Sequence, residues 1–405
     1  MTRKADMTAH PTIGDSQKPS RRAIAACVLP VALLLSVALE GSAQAAEPVA
    51  TCGSTITTDV TLTADLFCPS GDGLILGSNV TLDLGGHSLI GSGSGVGVQT
   101  TFPSEGGNTI RNGTIENWAT GVQLQEESPT RTPYVVIDVV LRNALLIHGP
   151  TNGTALQMTR VTADDSTVYG QLGGDLAISE SRFTRSPVNL FYASATIVKS
   201  TLVQSHVSTT ARGQVIIDSS TLDGKGAGSP GSMSETGITI TNSAVKNFAE
   251  PIGGFWGGVT LTGNKFSDMP DGVLGDVSYF ASEAVSTITD NTFLRTGVAL
   301  RGNVPMIVEN NTFKHGEVAV EFTRAEPFPG DPPHTAEGSR AVGNVIMNHT
   351  GSGITTELPG LEVGGNTAKN NGGYGIYAPG AVDLGGNVAF NNDLGQCVGV
   401  VCGRK

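Results

Sequence analysis

From about residue 80 onward, the chain alternates aliphatic and polar positions in short runs, each closed by a turn that carries asparagine or serine. Val259-Thr-Leu-Thr-Gly-Asn-Lys-Phe266, Ser286-Thr-Ile-Thr-Asp-Asn-Thr-Phe293 and Met306-Ile-Val-Glu-Asn-Asn-Thr-Phe313 are one phrase. It returns, shortened, as Ala341-Val-Gly-Asn344, Leu361-Glu-Val-Gly-Gly-Asn366 and Val382-Asp-Leu-Gly-Gly-Asn387. Alternation with a period of two places successive side chains on opposite faces, which is the pattern of a strand. The step is 20 residues from Asn291 to Asn311, 22 from Asn344 to Asn366 and 21 from Asn366 to Asn387. Period-2 strands recurring at that interval predict a solenoid.

Anchored on the aliphatic strand, coils start near Val80, Thr109, Val135, Leu156, Ala177, Thr196, Val215, Ile238, Val259, Ser286, Met306, Ala341, Leu361 and Val382. These are about fourteen turns, which at roughly 4.8 Å per coil would stack to about 65 Å. A second strand is readable in each coil, as in Gly121-Val-Gln-Leu124, Gly297-Val-Ala-Leu300, Glu317-Val-Ala-Val320, Gly353-Ile-Thr-Thr356 and Gly375-Ile-Tyr377. The turn residues Asn242, Asn264, Asn291, Asn311, Asn344, Asn366 and Asn387 read as a ladder whose amides hydrogen-bond along the stack. Ser181, Ser200 and Ser220 hold the same place earlier.

Composition agrees with strands and turns. Of 405 residues 54 are Gly, and only 15% are charged, so the surface is covered mainly by Ser, Thr, Asn and Gly. No helical period is found after residue 45. Before it, Arg21-Arg22, the apolar run Ala23 to Leu39 and the motif Ala43-Gln44-Ala45 predict a signal peptide over 1–45, cleaved after Ala45. The chain's net charge is −12. The leader holds Arg3, Lys4, Lys18, Arg21 and Arg22 against Asp6, Asp15 and Glu40, so its removal makes the protein still more acidic. Non-specific binding to nucleic acid or an anionic membrane is thereby excluded.

Export permits disulfides. Cys52 and Cys68 lie near the mature start and Cys397 and Cys402 near the end, where a solenoid has no further coil to hold it. The clustering predicts the pairs Cys52–Cys68 and Cys397–Cys402. The expected organisation is a signal peptide (1–45), an N-terminal cap with a disulfide (46–78), a β-solenoid (79–396) and a disulfide-closed tail (397–405).

These residues resemble the right-handed parallel β-helix of the pectin-lyase-like superfamily. The Asn-Thr-Phe…Gly-Val phrase is similar to the generic repeat. The segment from Thr51-Cys-Gly-Ser through Val80-Thr-Leu-Asp-Leu-Gly-Gly-His-Ser-Leu-Ile-Gly91 resembles the entry of exported bacterial β-helix proteins. The resemblance implies an all-β fold, a single right-handed parallel β-helix. It specifies chemistry poorly.

Four insertions, Thr100–Gly107, Glu126–Pro133, Val277–Glu283 and Thr323–Ser339, each follow the Gly-Val strand and precede the next Asn-bearing phrase. They are expected to leave one corner and flank one face, the usual binding side of a solenoid. Outward positions there are Gln123, Arg301, Glu321, Glu357 and Tyr377, with Trp256 a further aromatic. A polar groove with stacking aromatics suits a glycan, although Arg301 and Glu321, one coil apart, could simply pair.

A uronate lyase needs cations or acids to neutralise the carboxylate and a base for the C5 proton. Asp164-Asp165 followed one coil later by Arg182 and Arg185 is the weak candidate, with calcium as a cofactor only in that case. Strand alternation allows one Asp and one Arg to converge. Of the hydrolase motifs that the resemblance implies, only the Asp-Asp dipeptide is present. The His residues show no metal-ligand spacing.

The reading is a secreted, extracellular, monomeric, non-catalytic β-helix that binds a polysaccharide or cell-surface component without a cofactor. A polysaccharide lyase, epimerase or hydrolase, and a structural protein-interaction rod, stay open beside it.

Overall fold

The computed structural model describes residues 50–404 apart from 126–131, 150–153, 212, 234–236, 255–257, 276–284, 304 and 324–334. The expected leader, Trp256 and most of three insertions lie outside the described residues. Every described element is a strand. Each coil lays down three short strands, and each pairs in parallel with its counterpart on the next coil. The first stack runs from Val60–Thr61 to Val382–Gly385 and meets each expected coil start to within a residue. A second stack runs from Leu66–Phe67 to Cys402–Gly403. The third runs from Thr55–Ile56 to Gly395–Val398 and contains the expected Gly-Val strands. Thr109–Leu124 and Tyr134–His148 are bent strands that pass through all three.

Alternation puts columns of aliphatic residues inside the stacks, two of them in the first. Ile178, Ile197, Ile217, Ile240, Leu261 and Ile288 are in register and buried. Each burial contributes about 1.5–3 kcal/mol. On the second stack the rings of Phe266, Phe293 and Phe313 lie nearly parallel, with centroids 5.1 and 4.5 Å apart. Like residues stack on like because the coil repeat superimposes the same position of the phrase.

The corner between the first and second stacks is made by one left-handed residue and one buried polar residue. Gly263, Asp290, Asn310, Gly343, Gly365 and Gly386 have φ between 56° and 74°. Glycine, asparagine and aspartate tolerate that backbone with least strain. The bend turns the following side chain inward. Asn264, Asn291, Asn311, Asn344, Asn366 and Asn387 all stand there, buried. The Asn264 backbone N–H and Nδ2 both donate to Asn291 Oδ1, at 2.8 and 3.0 Å, and the same pair of bonds links each later member to the next.

The ladder continues downward in serine. The N–H of Ser181 donates to Ser200 Oγ, that of Ser200 to Ser220 Oγ, and that of Ser220 to Ser243 Oγ. Asn242 is not a rung. It occupies the left-handed position at φ 50° and donates to Asp218, and Ser243 beside it carries the ladder on to Asn264.

The second corner has a ladder of its own, Ser166–Ser186–Ser205, and later Asn371–Asn392. Disulfides Cys52–Cys68 and Cys397–Cys402 close the two ends.

Candidate functional site

Among the described residues, the third corner, from the third stack back to the first, carries neither of these ladders but scattered links, among them a short chain of bonds through Asp175, Ser194 and Gln214. The described flanks of all four insertions leave the chain there, between strands of the third stack and strands of the first. Beside the last insertion, the outward residues of the third stack line a cleft of about 300 Å³. Its walls are Glu321, Thr323, Thr355, Glu357 and Tyr377, with Phe322, Thr356 and Leu358 at the base.

Register explains the grouping. Arg301, Glu321, Thr355 and Tyr377 occupy one row over successive coils. Arg301 Nε donates to Glu321 Oε2 at 2.7 Å, so these two do pair. Tyr377 stands beside Glu357, whose negative charge pushes the phenol above its ordinary pKa. The Tyr374 ring supports that of Tyr377, with centroids 5.1 Å apart and planes tilted by 41°. Thr356 is fixed from behind: its hydroxyl donates to the Phe322 carbonyl and accepts from the Leu358 N–H.

Arg301, Glu321 and Tyr377 thus come together with Glu357. Gln123 does not join them. It sits on the same stack, but its row neighbours are Gln99 and Ile147, near the other end. The chain signal that marks Thr323, Thr355 and Tyr374 as neighbours of the cleft is the coil register alone.

The Asp164–Asp165 cluster differs from expectation. Arg185 meets both carboxylates, with Nη2 2.6 Å from Asp164 Oδ1 and Nε 2.7 Å from Asp165 Oδ1. Alternation does not separate the two aspartates because Asp165 is a left-handed corner residue at φ 50°, not part of the strand. Arg182 lies apart from them, in register with Thr162 and Thr201. The arrangement is one of a series. Arg160 grips Asp138 through two bonds of 2.7 Å, and Arg295 grips Asp268 at 2.6 and 2.9 Å, each pair again at a corner. Arg185 holds the Asp165 carboxyl below its usual range. A motif repeated along the coil, with its charges already matched, reads as corner reinforcement. No group of three or more His, Cys, Asp or Glu able to hold a metal ion occurs among the described residues.

A family model described as a right handed beta helix region matches residues 201–394. Among solved structures, the chain is similar to the crystal structure of the catalytic unit of a thermostable GH87 alpha-1,3-glucanase from Streptomyces thermodiastaticus strain HF3-3. The identity is 14% and the TM-score 0.30, over 81% of this chain and 63% of that one. The chain therefore spans just under two thirds of that protein's length. No curated protein matches it. The parallel pairing of coil on coil and the matched region together make this chain a right-handed parallel β-helix repeat protein.

Proposed function

We propose that this protein is an exported, non-catalytic β-helix that binds a glycan through the cleft of its third stack. The observation that carries the reading is the convergence, beside the longest insertion, of an outward tyrosine with two carboxylates and two threonine hydroxyls around one concave surface. Sugar rings need an apolar face to lie on and several directional polar partners, and concave sites of this mixed character are where small ligands bind. Two disulfides, which persist in oxidising compartments, support export. No helix among the described residues is long and apolar enough to cross a membrane.

One observation favours a second reading. Glu321 and Glu357 both line the cleft, and glycoside hydrolysis uses a pair of carboxylates. Affinity electrophoresis of the purified protein against pectic, alginate and neutral polysaccharides, with reducing ends and unsaturated products followed in parallel, separates the readings. Retardation without product is the expected result. New reducing ends lost in Glu357→Gln would establish a hydrolase, and neither retardation nor product would refute both.

A further inference from the structure

The charged groups of the cleft share one sign. Glu321 and Glu357 line it, and no Lys or Arg does so among the described residues. Their surroundings differ. Glu321 is matched by the Arg301 guanidinium at 2.7 Å. Glu357 is exposed, and the neighbour that shares the cleft wall with it is the neutral Tyr377 phenol. An ionised carboxylate offers about four acceptor sites, so Glu357 has acceptors for a ligand cation.

Next to that charge stand the face of Tyr377 and the supporting ring of Tyr374. A carboxylate beside tyrosine rings suits an organic ammonium group, which gains a charge-assisted hydrogen bond from the one and cation–π attraction from the other. A uronate would bring a like charge against Glu357, and a wholly neutral sugar would leave that charge unused. The acidity of the whole protein strengthens the same preference, because its field enriches cations near the surface.

Resting on the glycan-binding reading, we propose that the cleft takes a polysaccharide bearing free amino groups. The sugar ring lies against Tyr377 and its ammonium is held by Glu357. The neutralised Glu321 and the hydroxyl of Thr355 remain to meet ring hydroxyls.

Calorimetric titration of the purified protein at mildly acidic pH tests this with five probes. They are a β-1,4-linked glucosamine hexamer with free amines, its fully N-acetylated form, a neutral glucan hexamer, a polygalacturonate hexamer and hexalysine. The expected result is affinity for the free-amine hexamer at least about tenfold above the N-acetylated form. Glu357→Gln should abolish that preference while keeping the weaker binding of the neutral sugar. Asp393→Asn, an exposed carboxylate outside the cleft, should leave the preference intact. Equal affinity for the two hexamers, a preference for polygalacturonate, or hexalysine binding as tightly as the free-amine sugar would each overturn the amino-sugar assignment while leaving glycan binding in place. Loss of the preference in Asp393→Asn would show general acidity at work and also overturn it. Failure of all four carbohydrates to bind would refute the underlying glycan reading.

Discussion

Replacing Asn311 by leucine is the sharpest test of how this fold is held. Asn311 is 1% exposed and makes bonds in both directions along the stack. Its Oδ1 accepts the Asn291 N–H at 2.9 Å and the Asn291 Nδ2 at 3.0 Å. Its Nδ2 donates to Ile288 O, Glu309 O and Asn344 Oδ1 at 2.8, 2.9 and 3.1 Å. Leucine cannot replace any of these bonds. Asn344 Oδ1 keeps the N–H of residue 311, and Asn291 Nδ2 keeps the Leu261 carbonyl at 2.8 Å. The Asn291 backbone N–H is left buried without its acceptor, and the Ile288 carbonyl loses a donor. One buried donor left unsatisfied costs about 1–3 kcal/mol, so a total near 3 kcal/mol is expected.

Serine should cost less than leucine at this site. The lower rungs show why: Ser243 Oγ accepts the Ser220 N–H at 3.0 Å and returns its proton to the Thr241 carbonyl at 2.7 Å. Urea unfolding should therefore rank wild type above Asn311→Ser, and that above Asn311→Leu. Gln157→Leu, an exposed amide on a strand of the first stack, should change stability by less than about 0.5 kcal/mol. Because neighbouring coils couple directly, amide exchange in Asn311→Leu should quicken first in Ser286–Thr289 and Arg340–Val342, the strands on either side. If Asn311→Leu unfolds at the same urea concentration as Gln157→Leu, the ladder is not a stabilising feature.

Three further outcomes follow from the same geometry. Burial lowers the pKa of His349 from 6.5 to about 4, so the unfolded chain takes a proton that the folded one refuses. The His349 contribution is nil above pH 6.5 and removes about 3 kcal/mol as the pH drops to 4, and buried His148, also lowered to about 4, adds a comparable fall; His349→Asn, placed to extend the Asn371–Asn392 ladder by a rung, should therefore halve that histidine-linked fall in acid unfolding curves. The Cys52–Cys68 link spans 16 residues and Cys397–Cys402 spans 5, so loop entropy predicts losses of about 3 and about 2 kcal/mol for the respective double Cys→Ser variants, read by denaturant melts. Arg185→Ala should leave glycan retardation unchanged and yield no difference in unsaturated product, since Arg185 braces a corner and lies outside the cleft; a changed product yield would restore the lyase reading.

Coil register was readable in the chain because the phrase repeats its apolar positions, and a one-residue slip would turn every aliphatic residue outward. The first ladder was readable for the same reason from Asn264 onward. It was misplaced at Asn242 because two adjacent polar residues, Asn242 and Ser243, compete for the rung, and only the backbone bend decides which turns inward. The same bend hid the joint grip of Arg185 on Asp164 and Asp165, since a rule for strands does not extend to a left-handed corner. Arg160, Glu180, Lys199 and Arg185 also adopt positive φ, and nothing in their chemistry announces it. Of the cleft, the row Arg301–Glu321–Tyr377 was legible from period alone, whereas the separation of Gln123 required counting coils between them.

The placement of the cleft follows from where the coil tolerates change. At the first corner each Asn from Asn264 to Asn366 is bonded to the coils before and after it, so an extra residue there would break bonds in two coils at once. Among the described residues the third corner has only scattered links of this kind, such as Asp175–Ser194–Gln214, and where they are lacking its backbone can be lengthened for little more than loop entropy, about 0.6 kcal/mol per doubling. Insertions therefore collect there, and the adjacent face of the third stack becomes the one that loops can enclose. Four glycine and serine residues placed between Pro379 and Gly380 should cost less than about 1 kcal/mol in a urea melt. The same insertion between Gly365 and Asn366 cuts the rung joining Asn344 to Asn387 and should cost more than about 3 kcal/mol. Equal losses at the two corners would mean that the ladders do not determine where this solenoid can acquire a binding site.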